Sequence, residues 1–368
     1  MRVVITGGGT GGHIIPALAV ASALKQQGHE VLYIGSLNSM ESELAPGENI
    51  SFAGIVFYGM PRGVNLKIFK WLLDLNTAIG DARQIIRDFN PDVVFGTGGY
   101  VSAPVILAAR QCNKATIIHE PDAQPGLANC FLAGDAKHIT AAFEESRLQF
   151  KLPPNSPRFT LTGNPIRPGF GTLNQAQAFK ALGLGWDDTR TTLLVFGGSQ
   201  GARQINTAIT EALPTLINTL GLQVLHISGE KRHAETVQAL PKGYTDHPHY
   251  KLLAYSKQMP ELLAACDLAI CRSGSLTLSE LYASGTPAIL VPYPHAAANH
   301  QYKNAMAAQQ AGAALVLEDT QCTANTLVAE ISALLANPAQ VTQMQQNALK
   351  LARPNATEEI IACLKAVL

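Results

Sequence analysis

Residues 2–13 read Arg-Val-Val-Ile-Thr, then Gly-Gly-Gly-Thr-Gly-Gly, then His13. A β-branched run that enters a glycine turn and leaves as a helix offers bare backbone N–H groups and a helix N-terminus. Phosphate or a reacting oxygen is drawn to such a place. His13 stands at the mouth of the turn, and imidazole is the side chain best suited to proton transfer near neutral pH. A merely tight turn with a capping histidine is the plainer reading. Five glycines in six positions exceed what a turn requires, because each loses backbone entropy on folding. Gly7, Gly9 and Gly12 satisfy G-x-G-x-x-G, yet the dinucleotide reading fails its own check. The second strand ends in Gly35-Ser-Leu, where a nicotinamide site wants an acid.

Three more strands run into such turns. Val93-Val-Phe95 enters Gly96-Thr-Gly-Gly99, Leu193–Phe196 enters Gly197-Gly-Ser-Gln-Gly201, and Leu268–Cys271 enters Arg272-Ser-Gly-Ser275. Ser273, Gly274 and Ser275 suit phosphate at a helix start. Glu280, further along, can accept two hydrogen bonds from a ribose diol, or be an ordinary helix glutamate. Pro292-Tyr-Pro-His295 and Asn299-His-Gln301 suit sugar hydroxyls or a helix cap. His119-Glu120 at a strand end is a structural ion pair or part of a site. Asp187-Asp188 caps or solvates a turn, and no metal site is evident. The stretch 62–73 mixes Ile68, Phe69, Trp71, Leu72 and Leu73 with Arg62, Lys67 and Lys70. Such a stretch suits a lipid interface, and core packing is the alternative.

The elements that must position these residues follow from the pattern. Strands are predicted near 2–6, 30–34, 51–57, 92–95, 115–118 and 138–140. In the second half they fall near 193–196, 223–228, 251–254, 267–271, 287–291 and 315–317. Helices near 15–27, 66–89, 101–112, 202–219, 257–265, 275–284, 299–311 and 323–336 lie between them, the first opened by Pro16. Apolar strands between amphipathic helices mean parallel sheets covered on both faces. The expected fold is α/β, with two doubly wound sheets facing across a cleft. The proline-rich stretch 152–168 is the expected linker. The expected domains are 1–160, 161–338 and two helices in 339–368 that pack back on the first domain.

The 368 residues carry 27 basic and 27 acidic side chains, so nothing points to nucleic acid. Six cysteines without a C-x-x-C pair argue for free thiols in a reducing compartment. No secretory leader is read at the N-terminus, and no apolar run reaches membrane-spanning length.

The ordered set of segments resembles one family. It comprises Gly8–His13 with Pro16-Ala17, Gly98-Gly-Tyr-Val-Ser102, His119-Glu120, Gly163-Asn-Pro-Ile-Arg167, Gly197–Ala202, Cys271–Gly274 through Glu280, His300-Gln301 and Asn304-Ala305. They are similar to the bacterial peptidoglycan glycosyltransferases that add N-acetylglucosamine to lipid-linked muramoyl-pentapeptide (lipid I, giving lipid II). The resemblance implies a glycosyltransferase B-type fold, UDP-N-acetylglucosamine as donor and no cofactor or required metal. It implies a peripheral location on the cytoplasmic face of the cell membrane, reached through 62–73. By position it makes Arg167, Ser199, Ser275, Leu276, Thr277 and Glu280 nucleotide-sugar contacts, with Glu280 on the ribose and Gln301 on the sugar. Thr10, Gly11 and Gly12 approach from the first domain, with Asp122 and Ser256 as further substrate contacts.

Two segments depart from the family pattern. His119-Glu-Pro-Asp-Ala123 stands for His-Glu-Gln-Asn-Gly, so Asp122 replaces an amide by a group that, ionised, only accepts. Tyr255-Ser-Lys-Gln-Met259 stands for Phe-Ile-Asp-Asp-Met, where backbone groups of Ser256 can still read uracil. The expected reaction is attack of the muramoyl 4-hydroxyl on the donor with inversion, His13 acting as general base. A nucleotide-sugar epimerase, a transferase acting on a small soluble acceptor and an inactive UDP-sugar-binding scaffold are the competing functions.

Overall fold

The computed structural model describes residues 1–61, 67–187, 189–198 and 200–368. The chain divides into two units, residues 1–166 with 353–368, and residues 167–352. In the first, seven strands form a parallel sheet: β1 Arg2–Thr6, β2 Glu30–Ser36, β3 Ser51–Ile55, β4 Val93–Gly96, β5 Ala115–Glu120, β6 His138–Ala141 and β7 Phe159–Leu161. Their order is β3-β2-β1-β4-β5-β6-β7. Alternate side chains of one strand serve opposite faces. Val3, Ile5 and Phe95 pack with the helices Gly11–Gln26 and Ala356–Ala366. Val4, Val94 and Ile118 pack under Ala78, Ala82 and Ile86 of the helix Lys67–Phe89 and under the helix Ser102–Gln111.

The second unit repeats the plan with six strands: β8 Thr192–Phe196, β9 Gln223–Ile227, β10 Tyr250–Leu253, β11 Leu268–Cys271, β12 Ala288–Leu290 and β13 Ala314–Val316. They run in the order β10-β9-β8-β11-β12-β13. Leu193, Val195, Ile270 and Ile289 pack against the helices Arg203–Pro214 and Ala324–Leu335.

Strand order reverses between β1 and β4 in one sheet and between β8 and β11 in the other. Ligands of open parallel sheets bind beyond the carboxyl ends of strands at such a switch point. All four glycine turns read in the sequence lie there.

Several expectations change in detail. The first helix begins at Gly11, not at residue 15, so Gly11, Gly12 and His13 are its first turn and Pro16 lies inside it. Glycine is a poor helix former, yet first-turn residues need no i−4 acceptor, and packing of Ile14, Ala17 and Leu18 supplies the stability. Part of the expected linker is the edge strand β7. The helix Pro338–Leu351 stays with the second unit, where Met344 joins the core; only 353–368 returns to the first. Short helices at Met40–Gly47, Leu127–Leu132, Gln175–Ala181 and His233–Ala239 have no counterpart in the sequence reading. Each is under nine residues, too short for a 3.6-residue period to declare itself.

Candidate functional site

In the first unit the turns after β1 and β4 interlock. Gly8 N–H donates to Gly98 O at 3.3 Å, and Thr97 N–H to Thr6 O at 2.9 Å. Gly99 has a φ of +80°, and a Cβ there would lie 2.0 Å from Gly8 O. Only glycine meets both demands. The paired turns grip His13 at two points. Its ring Nδ1 lies 3.0 Å from Thr97 O, and Thr97 Oγ1 donates to His13 O at 2.7 Å. A carbonyl only accepts, so Nδ1 carries the proton of the neutral ring and the lone pair falls on Nε2. That is the tautomer a general base needs. Thr97 was not singled out in the sequence; its place between two glycines was the available signal. Thr10 is the exposed N-cap residue, and Gly11 and Gly12 are half-buried in the first turn.

A Cβ on Gly98 would meet His13 Nδ1 at 3.1 Å and Asn129 Nδ2 at 3.3 Å, so His13 and Asn129 flank one glycine. Asn129 leads to the His119-Glu120 segment. His119 and Glu120 do not pair with each other; adjacent residues of β5 serve opposite faces. His119 Nε2 meets Asn164 Oδ1 at 3.0 Å and Nδ1 meets Thr140 Oγ1 at 3.0 Å. Burial pushes its pKa down to about 4, so it is a neutral structural group. Glu120 Oε1 accepts Asp122 N–H at 2.9 Å, while Oε2 accepts Gly126 N–H at 3.2 Å and Asn129 Nδ2 at 2.9 Å. Burial, then the charge of Asp122, pushes its pKa up to about 8 against those donors. Glu120 thus anchors the loop carrying Asp122. Replacing Asn129 by alanine strips one donor from it, at a cost of about 1–3 kcal/mol in unfolding free energy. Urea denaturation reads this; a loss below about 0.5 kcal/mol would mean that the loop amides suffice.

In the second unit the helix Ser275–Ser284 follows β11 with Gly274 as N-cap. Ser275, Leu276 and Thr277 form its first turn, whose N–H groups lack intrahelical acceptors. Arg272 props the neighbouring loop: it donates to Val291 O at 3.0 Å and Pro292 O at 3.1 Å, and pairs with Asp319 at 2.5 Å. Its guanidinium also lies 5.5 Å from the Tyr293 ring centroid. Gln301 Oε1 accepts Tyr293 N–H at 2.9 Å, and Gln301 O accepts Ser273 Oγ at 2.8 Å, so Gln301 ties this loop to the helix start. Glu280 is buried on the helix one turn further on. Burial pushes its pKa up to about 7, and the Arg167 guanidinium opposes the rise. Arg167 Nε is buried without a hydrogen-bond partner among the described residues. Ser256 Oγ accepts Gln258 N–H at 3.0 Å ahead of the helix Met259–Ala265. Ser199, Asp188 and residues 62–66, Arg62 among them, lie outside the described residues. Asp187 Oδ1 accepts Thr189 N–H at 3.0 Å, as a turn-capping residue does.

In the stretch that begins at residue 68 the apolar side chains divide. Trp71 turns inward, its ring centroid 5.6 Å from that of Phe57 and its Nε1 donating to Tyr58 O at 3.1 Å. Phe69, Leu72 and Leu73 are exposed, as are Tyr58 and Met60 beside them. Among the described residues no helix is long and apolar enough to cross a membrane.

Two parallel sheets with glycine turns at both switch points, one carrying a base-ready histidine, match known proteins. The glycosyltransferase family 28 N-terminal domain matches residues 3–141, and the family's C-terminal domain matches residues 192–360. The chain belongs to glycosyltransferase family 28. Within it, a UDP-N-acetylglucosamine–N-acetylmuramyl-(pentapeptide) pyrophosphoryl-undecaprenol N-acetylglucosamine transferase of Desulforamulus reducens is 40% identical, over 100% of this chain and 99% of the relative. The protein of the same name from Limosilactobacillus fermentum is 38% identical, over 99% of this chain and 98% of its own. The crystal structure of Acinetobacter baumannii MurG superposes with a TM-score of 0.77 at 28% identity, covering 99% of both chains. A putative UDP-N-acetylglucosamine 2-epimerase from Listeria monocytogenes, 15% identical with a TM-score of 0.72 and covering 99% and 96%, shares the fold alone. The family 28 chain thus has the glycosyltransferase B-type fold, two parallel-sheet α/β domains.

Proposed function

We propose that this family 28 chain transfers N-acetylglucosamine from UDP-N-acetylglucosamine to lipid-linked muramoyl-pentapeptide, the lipid I to lipid II step of peptidoglycan synthesis. It is a UDP-sugar hexosyltransferase. The observation that carries the reading of the chemistry is the His13–Thr97 contact, which sets the tautomer of an imidazole at the first switch point. The muramoyl 4-hydroxyl oxygen attacks C1 of the donor sugar with inversion. The C1–O bond to the β-phosphate breaks, UDP leaves with the electron pair, and His13 Nε2 takes the hydroxyl proton. Negative charge growing on the diphosphate is met by the first-turn amides of Ser275, Leu276 and Thr277. Arg167 and Ser199 add to the nucleotide contacts, Glu280 accepts the ribose diol, and Gln301 contacts the sugar. Ser256 presents backbone groups to uracil. Thr10, Gly11, Gly12 and Asp122 bound the reacting sugars.

The exposed Phe69, Leu72 and Leu73, with Lys70 beside them, support peripheral binding to the cytoplasmic face of the membrane that holds the polyprenyl acceptor. Changing Phe69 and Leu73 together to serine lowers affinity for anionic vesicles by about tenfold or more, since each buried apolar side chain is worth about 1.5–3 kcal/mol. Vesicle flotation measures it, and unchanged binding moves the membrane face elsewhere.

The deciding assay follows UDP release from UDP-N-acetylglucosamine with and without a short-chain lipid I analogue. Acceptor-dependent release with disaccharide product is the expected result. Release or isomerisation without acceptor returns the chain to hydrolase or epimerase chemistry, and binding without turnover to a scaffold.

A further inference from the structure

Glu41, on the helix Met40–Gly47, is fully buried in the first unit, and nothing in the mechanism above asks for it. Its Oε1 accepts Ser36 N–H at 3.2 Å at the end of β2. The same oxygen underlies the turn after β1: a Cβ built on Gly8 would come within 2.4 Å of it. Its Oε2 is buried and finds no hydrogen-bond partner among the described residues. The helix does not require this arrangement. Glu43, exposed in the same first turn, already offers a carboxylate to the helix dipole, and Ser42 Oγ accepts the Ser39 N–H. A buried carboxylate with one oxygen unsatisfied is costly, and in a native fold such a cost asks for a reason.

The reason lies in what surrounds it. Tyr33 Oη donates to Gly7 O at 2.6 Å, and the Tyr100 ring lies against Gly9. Burial and then the charge of Glu41 raise the pKa of both phenols, so its field reaches the two tyrosines that grip the turn on either side of Gly8. His13 ends that same turn. When it takes a proton it becomes a cation, and a carboxylate held in a water-poor floor favours that cation as it forms.

We propose that Glu41 is a positioning residue for the transfer reaction: from beneath Gly8 it braces the glycine turn that presents His13 and favours the imidazolium formed there. This rests on His13 being the general base. The test is a cycle of Glu41→Gln, His13→Ala and the double variant, with kcat, acceptor KM and UDP affinity measured for each. Glutamine keeps the shape and removes the charge. Glu41→Gln is expected to lower kcat about tenfold or more, leave UDP affinity unchanged, and add less than about twofold in the His13→Ala background. Glu41→Asp, which keeps the charge, recovers most of the loss. Glu41→Gln turning over within twofold of the parent sinks the assignment. So does an equal loss in both backgrounds, which marks a structural role. If Glu41→Gln does not fold, Glu41→Met, close in shape and without charge, runs the same cycle, and an equal loss in the parental and His13→Ala backgrounds overturns the proposal. His13→Ala at the parental rate removes the base reading and this inference together, whereas a slow His13→Ala beside an unaffected Glu41→Gln removes only Glu41.

Discussion

His13→Ala is expected to lower kcat by about 10²–10⁴-fold, the usual contribution of general acid–base catalysis. UDP affinity is expected to stay within about twofold, because the nucleotide contacts assigned above belong to residues 167–301 and not to the first glycine turn. The size of the effect depends on the tautomer. With Nδ1–H held by Thr97 O at 3.0 Å, the ring is oriented before substrate arrives and Nε2 carries the lone pair. His13→Asn keeps a polar side chain without a base of useful pKa and is expected to behave like the alanine variant in kcat. Single-turnover and steady-state rates with a soluble lipid I analogue read the loss. Turnover within a few-fold of the parent would take His13 out of the reaction.

Glu280→Ala is expected to weaken binding of UDP-N-acetylglucosamine by about 10–100-fold with little change in acceptor KM, since a hydrogen bond to a charged group is worth about 1.5–3 kcal/mol. Equal losses on both substrates would indicate a disrupted fold. A second readout is independent of turnover. Burial pushes the Glu280 carboxyl up to about 7, so near neutral pH the free protein holds a fraction of a proton there. A ribose diol donates two hydroxyls, and the ionised carboxylate accepts both. The donor therefore prefers the ionised form and lowers the pKa on binding. Protons are released at pH 7 and below, and affinity falls as pH drops through about 7. Calorimetry in buffers of different ionisation heat measures the release, and Glu280→Gln abolishes it. Proton uptake, or release unchanged in Glu280→Gln, would contradict the assignment.

The sheets were legible because buried parallel strands write themselves as short β-branched runs, and twelve of the thirteen strands among the described residues were placed. The thirteenth, Phe159–Leu161, is a three-residue edge strand among prolines, with too little length to show a period. The glycine turns were legible because a backbone that must pass within contact distance of another leaves no room for a side chain. Their partners were not. Thr97, Asn129 and Glu41 are single ordinary residues, far from His13 in the chain, and no local spacing relates them to it. His119-Glu120 shows the same gap: adjacency in sequence invited an ion pair, and strand alternation sent the two side chains to different networks.

The sequence by itself determined which residue types stand at the strand ends, that the central strands are buried on both faces, and that one imidazole follows the first glycine turn. Local chemistry suffices for that, since propensity, hydrophobic period and turn composition are properties of neighbouring residues. Only the tertiary structure decided that β4 lies beside β1 and β11 beside β8, which sets the two switch points. It also decided which nitrogen of His13 bears the proton and which carboxylates are buried deeply enough to titrate near neutrality. Those depend on strand order and on desolvation by residues distant in sequence, and both come into being only when the sheets assemble.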